Sequence, residues 1–122
     1  MLVVDDEPLV AALLSRVLSS EHDIVVATSA AEALERLGEH DFDVIVCDVM
    51  MPGMTGMDLY AVIRQKSPSL SDRMVFITGG AFVPRVADFL SSVENPKLDK
   101  PLDVKALLGA IADMRTRATT RR

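Results

Sequence analysis

The sequence has no tryptophan, one tyrosine and four phenylalanines. A chain this poor in rings offers little to stack against a flavin. It has one cysteine, Cys47, so no intrachain disulfide can form, which agrees with a reducing cytoplasm. No apolar run approaches the length of a membrane span, and the first residues carry no signal-peptide pattern. The expectation is a cytoplasmic domain with no membrane insertion. Basic charge is also scarce: 13 Lys and Arg stand against 18 Asp and Glu, a net charge of −5. Phosphate backbones are held by basic patches, so direct nucleic-acid binding is not expected and no residue is assigned to it.

What the sequence does have is enough apolar material for one core. Its 122 residues fit a single domain, and 49% of them are hydrophobic. Leu2-Val3-Val4, Val44-Ile45-Val46-Cys47 and Met74-Val75-Phe76-Ile77 are apolar without alternation, as strands covered on both faces are. Ile24-Val25-Val26-Ala27 reads likewise, and the more polar Lys97-Leu98-Asp99 reads as an edge strand. Helical spacing lies between them. Leu9, Val10, Leu13, Leu14, Val17 and Leu18 mark a first helix. Ser29 and Glu32 resemble a capping box ahead of Ala33, Leu34 and Leu37. Thr55 caps a predicted third helix with Leu59, Val62 and Ile63. Pro84 opens a fourth with Val86, Phe89, Leu90 and Val93, and Asp103 opens a fifth with Val104, Leu107, Leu108 and Ile111.

Five βα units in strict alternation predict an α/β fold. The expected form is a doubly wound, flavodoxin-like (βα)5 domain, with a parallel sheet in the order 2-1-3-4-5 and helices on both faces. The domain is expected over residues 1–115, with residues 116–122 a polar, basic tail. Ligands of such sheets bind beyond the carboxyl ends of the strands. At those ends stand Asp5-Asp6, Asp48, Thr78 and Lys100-Pro101. Converging carboxylates repel one another unless protons or a cation neutralise them. Oxygen ligands of this kind suit Mg²⁺. A nucleophilic carboxylate beside positive charge suits formation of an aspartyl-phosphate.

Four segments carry a resemblance: Val3-Val4-Asp5-Asp6-Glu7-Pro8, Asp48 through Gly56, Ile77-Thr78-Gly79-Gly80 and Lys100-Pro101-Leu102. Together, in this order and each at a strand end, they resemble the receiver domains of two-component response regulators over nearly the whole chain. The resemblance implies that Asp48 is the phosphoacceptor. It implies that Asp5, Asp6, Asp48 and the Met50 backbone carbonyl hold Mg²⁺, with Mn²⁺ as a substitute. Thr78, Gly79 and Lys100 would meet the phosphoryl group, and Pro101 would be a structural cis-proline. The implied donor is a phosphohistidine on a histidine kinase dimerisation/phosphotransfer domain or on a histidine phosphotransfer protein. The module would not be an enzyme in its own right, but would assist its own phosphorylation and dephosphorylation. It would switch the surface of the fourth helix, fifth strand and fifth helix, as a monomer or weak homodimer. Residues 78–84 and 95–101 also resemble receivers attached to hybrid histidine kinases; a free-standing receiver or phosphate sink is the alternative.

Each motif has a plainer reading. Asp5 and Asp6 could cap the first helix, Asp48 could begin an ordinary turn, Thr78-Gly79-Gly80 could be a loop and Lys100 an edge lysine. Their joint occurrence at the correct strand ends makes these the weaker set. A haloacid-dehalogenase-type phosphatase needs an Asp-x-Asp pattern, and here the second position is Met50. The acidic run Asp5-Asp6-Glu7 would repel a flavin phosphate. A pseudo-receiver lacks reason to keep the full acidic set and the lysine. Met50, Met51, Met54 and Met57 read as loop packing and a soft contact surface. Cys47 reads as a buried, inert thiol, and His22 and His40 are given no metal role. One departure from the family stands out: an aromatic residue is usual three positions before the conserved lysine, and here that position is Lys97.

Overall fold

The computed structural model describes residues 1–19, 23–79, 84–100 and 103–120, with the backbone alone for 117–120. Elements follow in the order β1 (Leu2–Val4), α1 (Pro8–Leu18), β2 (Val25–Ala27), α2 (Ala30–Glu39), β3 (Ile45–Asp48), α3 (Gly56–Lys66), α4 (Pro68–Ser71), β4 (Met74–Thr78), α5 (Pro84–Ser92), β5 (Lys97–Asp99) and α6 (Val104–Thr120). All strand pairs are parallel, and the sheet order is β2-β1-β3-β4-β5. This is the doubly wound, flavodoxin-like fold expected from the alternating pattern.

The unalternated apolar runs are explained by two cores. On one face, Leu2, Val4, Ile45, Cys47, Met74 and Phe76 pack with α2, α3 and α5. On the other, Val3, Val46, Val75 and Ile77 pack with α1 and α6 through Leu14, Leu18, Leu107 and Ile111. Successive strand residues point to opposite faces, so both faces must be apolar. β5 is the exception: Lys97 and Asp99 are exposed, as an edge allows.

Several local readings need adjustment. The one-turn helix α4 lies where no helix is legible, opened by Pro68 and closed by the Ser71 hydroxyl donating to the Pro68 carbonyl at 2.8 Å. The predicted fourth and fifth helices are therefore α5 and α6. Ser29 caps α2 by accepting from the Glu32 N–H at 3.1 Å, but the Glu32 carboxylate accepts from Thr28 N–H, one residue ahead of a reciprocal box. The reciprocal box is at α3 instead, between Thr55 and Asp58. α6 continues through Thr120, so the segment read as a tail from 116 is helical that far. Asp5 and Asp6 do not cap α1: its N-cap is Glu7, without a side-chain cap bond.

Candidate functional site

The acidic residues follow directly from the sheet. Register places Val4 beside Cys47, so the chain after β1 emerges next to the end of β3. Asp5 and Asp48 are both buried, Asp6 is half-buried, and one carboxylate oxygen from each lies within 4.8 Å of the others. Main-chain donors hold two of them: Glu7 N–H donates to Asp5 Oδ1 at 2.9 Å, and Met50 N–H donates to Asp48 Oδ1 at 3.0 Å. Lys100 enters from the end of β5. Its Nζ lies 3.1 Å from Asp48 Oδ2, and 3.9 Å from both Asp5 Oδ2 and Glu7 Oε1.

The electrostatics are unbalanced. Three carboxylates share one ammonium group. Burial, with the charges of Asp48 and Asp6, raises the pKa of Asp5; the Glu7 N–H and Lys100 only partly offset this. Burial works against the Lys100 ammonium, but its hydrogen bond to Asp48 and the charges of Asp48, Asp5 and Glu7 outweigh it and raise its pKa. Asp5 Oδ2 is buried without a hydrogen-bond partner. An orphaned anionic oxygen in an all-oxygen cluster fits a hard divalent cation.

Thr78 ends β4, partly buried, and its carbonyl accepts from Lys100 N–H at 2.9 Å, tying the two strand ends together. Gly79 follows; a Cβ there would make only ordinary contact with Lys100 Cδ, at 3.8 Å. Gly80, Pro101 and His22 lie outside the described residues. Cys47 faces the α2/α3/α5 core, where burial and the charges of Asp48 and Asp5 keep its thiol protonated, and its Sγ donates to the Asp48 carbonyl at 3.3 Å.

Gly56 has a positional role that sequence reasoning missed. A Cβ there would fall on the Asp48 carbonyl oxygen and come within 2.9 Å of Val49 Cα. Its N–H donates to the Val49 carbonyl at 2.9 Å. The start of α3 thus packs backbone to backbone against the residue that presents the central carboxylate. A glycine eight residues after Asp48, just behind the cap Thr55, is the only sequence signal for this.

With a five-stranded parallel sheet and an acidic cluster facing a lysine at its carboxyl edge, the class is a doubly wound α/β domain with a polar site at the strand ends. The chain belongs to the response regulator receiver domain family, whose family model matches residues 1–112. It is 34% identical over 112 residues to the response regulator protein FleR of Pseudomonas aeruginosa, covering 92% of this chain and 23% of that protein. It is 32% identical over 123 residues to the transcriptional regulatory protein TcrA of Mycobacterium tuberculosis, covering 100% of this chain and 46% of that protein. The chain thus spans less than half of the length of either relative. Among solved structures, a response regulator receiver domain protein from Clostridium thermocellum superposes with a TM-score of 0.89 at 24% identity, over 99% of this chain and 97% of that one. A putative response regulator from Chloroflexus aurantiacus gives 0.81 at 26% identity, over 94% and 95%. The chain is therefore a phosphoacceptor signalling domain of the receiver type. Among the described residues, no helix is long and apolar enough to cross a membrane.

Proposed function

We propose that this domain takes a phosphoryl group from a phosphohistidine onto Asp48. The observation that carries the reading is the cluster of Asp5, Asp6 and Asp48 with Lys100 3.1 Å from Asp48. A carboxylate oxygen of Asp48 attacks phosphorus, the P–O bond forms, the P–N bond breaks, and the histidine leaves with the electron pair. Met50 N–H orients the attacking carboxylate. Lys100 releases Asp48 and pairs with the phosphoryl oxygens, supported by Gly79 and the hydroxyl of Thr78.

Asp5, Asp6, Asp48 and the Met50 carbonyl would hold Mg²⁺, or Mn²⁺ in its place. A bound dication would neutralise the carboxylates and the charge building on the phosphoryl oxygens. In this reading the pocket is a phosphoacceptor that assists its own phosphorylation and dephosphorylation. The module so assigned covers residues 1–115.

The donor is a histidine kinase dimerisation/phosphotransfer domain or a histidine phosphotransfer protein. An apolar groove of about 300 Å³ between α1 and α6 supports helical donors. It is lined by Val10, Leu13, Leu14, Val17, Val104 and Leu107, and Lys100 stands at its edge. Leu9, which precedes the lining Val10 in sequence, is 86% exposed. A helix seated there would bring its histidine to the carboxyl edge of the sheet. The regulatory names of FleR and TcrA favour attachment to an output domain over the hybrid-kinase attachment. Incubation with a donor protein carrying ³²P-phosphohistidine tests the reading. Label should move to this chain as an alkali-labile acyl phosphate, and Leu9→Glu should slow the protein donor while leaving a small-molecule donor unaffected. Label that stays on the donor while small molecules do phosphorylate the chain would overturn the choice of donor.

A further inference from the structure

The aromatic residues of this chain are few, yet three of them meet in one place. Phe76 of β4, Tyr60 of α3 and Phe89 of α5 pack edge to face, with centroid separations of 5.8, 5.4 and 5.2 Å for Tyr60–Phe76, Tyr60–Phe89 and Phe76–Phe89. Phe76 is fully buried. It lies two residues before Thr78 on the same strand and so on the same face of the sheet. Its partner across the β4–β5 register is Lys97. Lys97 Nζ donates to the Val93 carbonyl at 2.8 Å and to the Asn95 carbonyl at 3.0 Å, just beyond the end of α5. Asn95 is itself buried and donates to the Ser71 and Met74 carbonyls, both at 2.9 Å.

α5 is therefore held in two ways. Phe89 fixes its middle to the strand that ends in Thr78, and Lys97 fixes its carboxyl end to a rigid turn. A ring on the edge strand at position 97 would be a third route between sheet and helix; here the helix supplies the ring instead. Edge-to-face pairs have discrete preferred geometries, so a shift at the end of β4 does not dissipate continuously in them.

We propose that Phe89, through its contacts with Phe76 and Tyr60, couples the phosphorylation site to α5, with Lys97 as the clamp that holds α5 in its resting position. This rests on the proposed phosphorylation of Asp48. On phosphorylation, movement at Thr78 reaches Phe76, Phe89 follows, and α5 shifts against the hold of Lys97. Neither Phe89 nor Lys97 touches the acidic pocket, so neither is needed for the transfer itself.

The test is hydrogen exchange of α5 in the full chain before and after phosphorylation by acetyl phosphate with Mg²⁺, with phosphoryl occupancy read by intact mass on the same samples. Wild type and Phe89→Tyr, which keeps the ring, should show the same phosphorylation-dependent change in α5. Phe89→Leu should be phosphorylated to the same extent but keep less than about half of that change. Lys97→Met should speed exchange at the end of α5 before phosphorylation, by about threefold or more. A phosphorylated Phe89→Leu with the wild-type response in α5 would overturn the proposal. If Phe89→Leu does not fold, Tyr60→Leu takes its place with the same two outcomes. Wild type that takes no phosphoryl group overturns the underlying assignment and the coupling with it; wild type that is phosphorylated without any change in α5 overturns the coupling alone.

Discussion

Asp5 is a buried carboxylate whose second oxygen has no hydrogen-bond partner, only the Lys100 ammonium at 3.9 Å. Burial raises its folded-state pKa above 3.8, so the folded chain binds more protons than the unfolded one between those values. Stability therefore falls as pH rises through that window, and at neutral pH ionised Asp5 is destabilising. Asp5→Asn should raise the stability of the metal-free protein at neutral pH, on the order of 1 kcal/mol. If the cluster holds Mg²⁺ as proposed, millimolar Mg²⁺ should raise the melting temperature of the wild type, and Asp5→Asn should lose that rise. Thermal melts with and without Mg²⁺ read both effects, and a lower melting temperature in metal-free buffer would contradict the account. Gly56→Ala should destabilise by about 2 kcal/mol or more, because backbone cannot yield as a side chain does. Gly38→Ala and Gly109→Ala, where a Cβ meets nothing within 4 Å, should not destabilise. Urea titration of the three variants separates these cases. Asp5 and Asp48 were legible because each stands where an apolar run stops, and Lys100 because it follows the polar edge strand. Gly56 was not, because its constraint comes from the approach of α3 to the end of β3, which no local pattern records.

At the scale of elements, α3 sets the floor of the site, and its first turn is capped on both sides. Thr55 Oγ1 accepts from the Asp58 N–H at 3.2 Å, and Asp58 Oδ2 accepts from the Thr55 N–H at 3.0 Å. These bonds to Thr55, with a smaller pull from Arg85, lower the pKa of Asp58. A lowered carboxylate stabilises the fold above its unfolded value of 3.8 and loses that contribution as pH falls through the folded value. Acid unfolding followed by circular dichroism should show this slope in wild type and a flatter one in Asp58→Asn. Thr55→Ala should cost about 1 kcal/mol by removal of the cap. Strands and the five long helices were legible from apolar spacing and caps. α4 was not, since four residues hold no period. The run of α6 to Thr120 was hidden for the opposite reason: its last residues carry no apolar stripe, but nothing among them breaks a helix.

The whole molecule is a parallel sheet whose carboxyl edge gathers residues more than fifty positions apart in sequence, as in the Lys100–Asp48 contact. Strand order alone brings them together, which is why fold and site were readable as one pattern. What occupies the remaining length of relatives such as FleR and TcrA lies outside this pattern, and so does the donor's identity. The central claim is that Asp48 accepts phosphate in a pocket that needs a dication. Intact-protein mass spectrometry after incubation with acetyl phosphate or phosphoramidate tests it most directly, with and without Mg²⁺, in wild type and Asp48→Asn. The account predicts a gain of one phosphoryl group in wild type only when Mg²⁺ is present, and none in a folded Asp48→Asn. A folded wild type that gains nothing from either donor, or an Asp48→Asn variant that is still labelled on an aspartate, would contradict it.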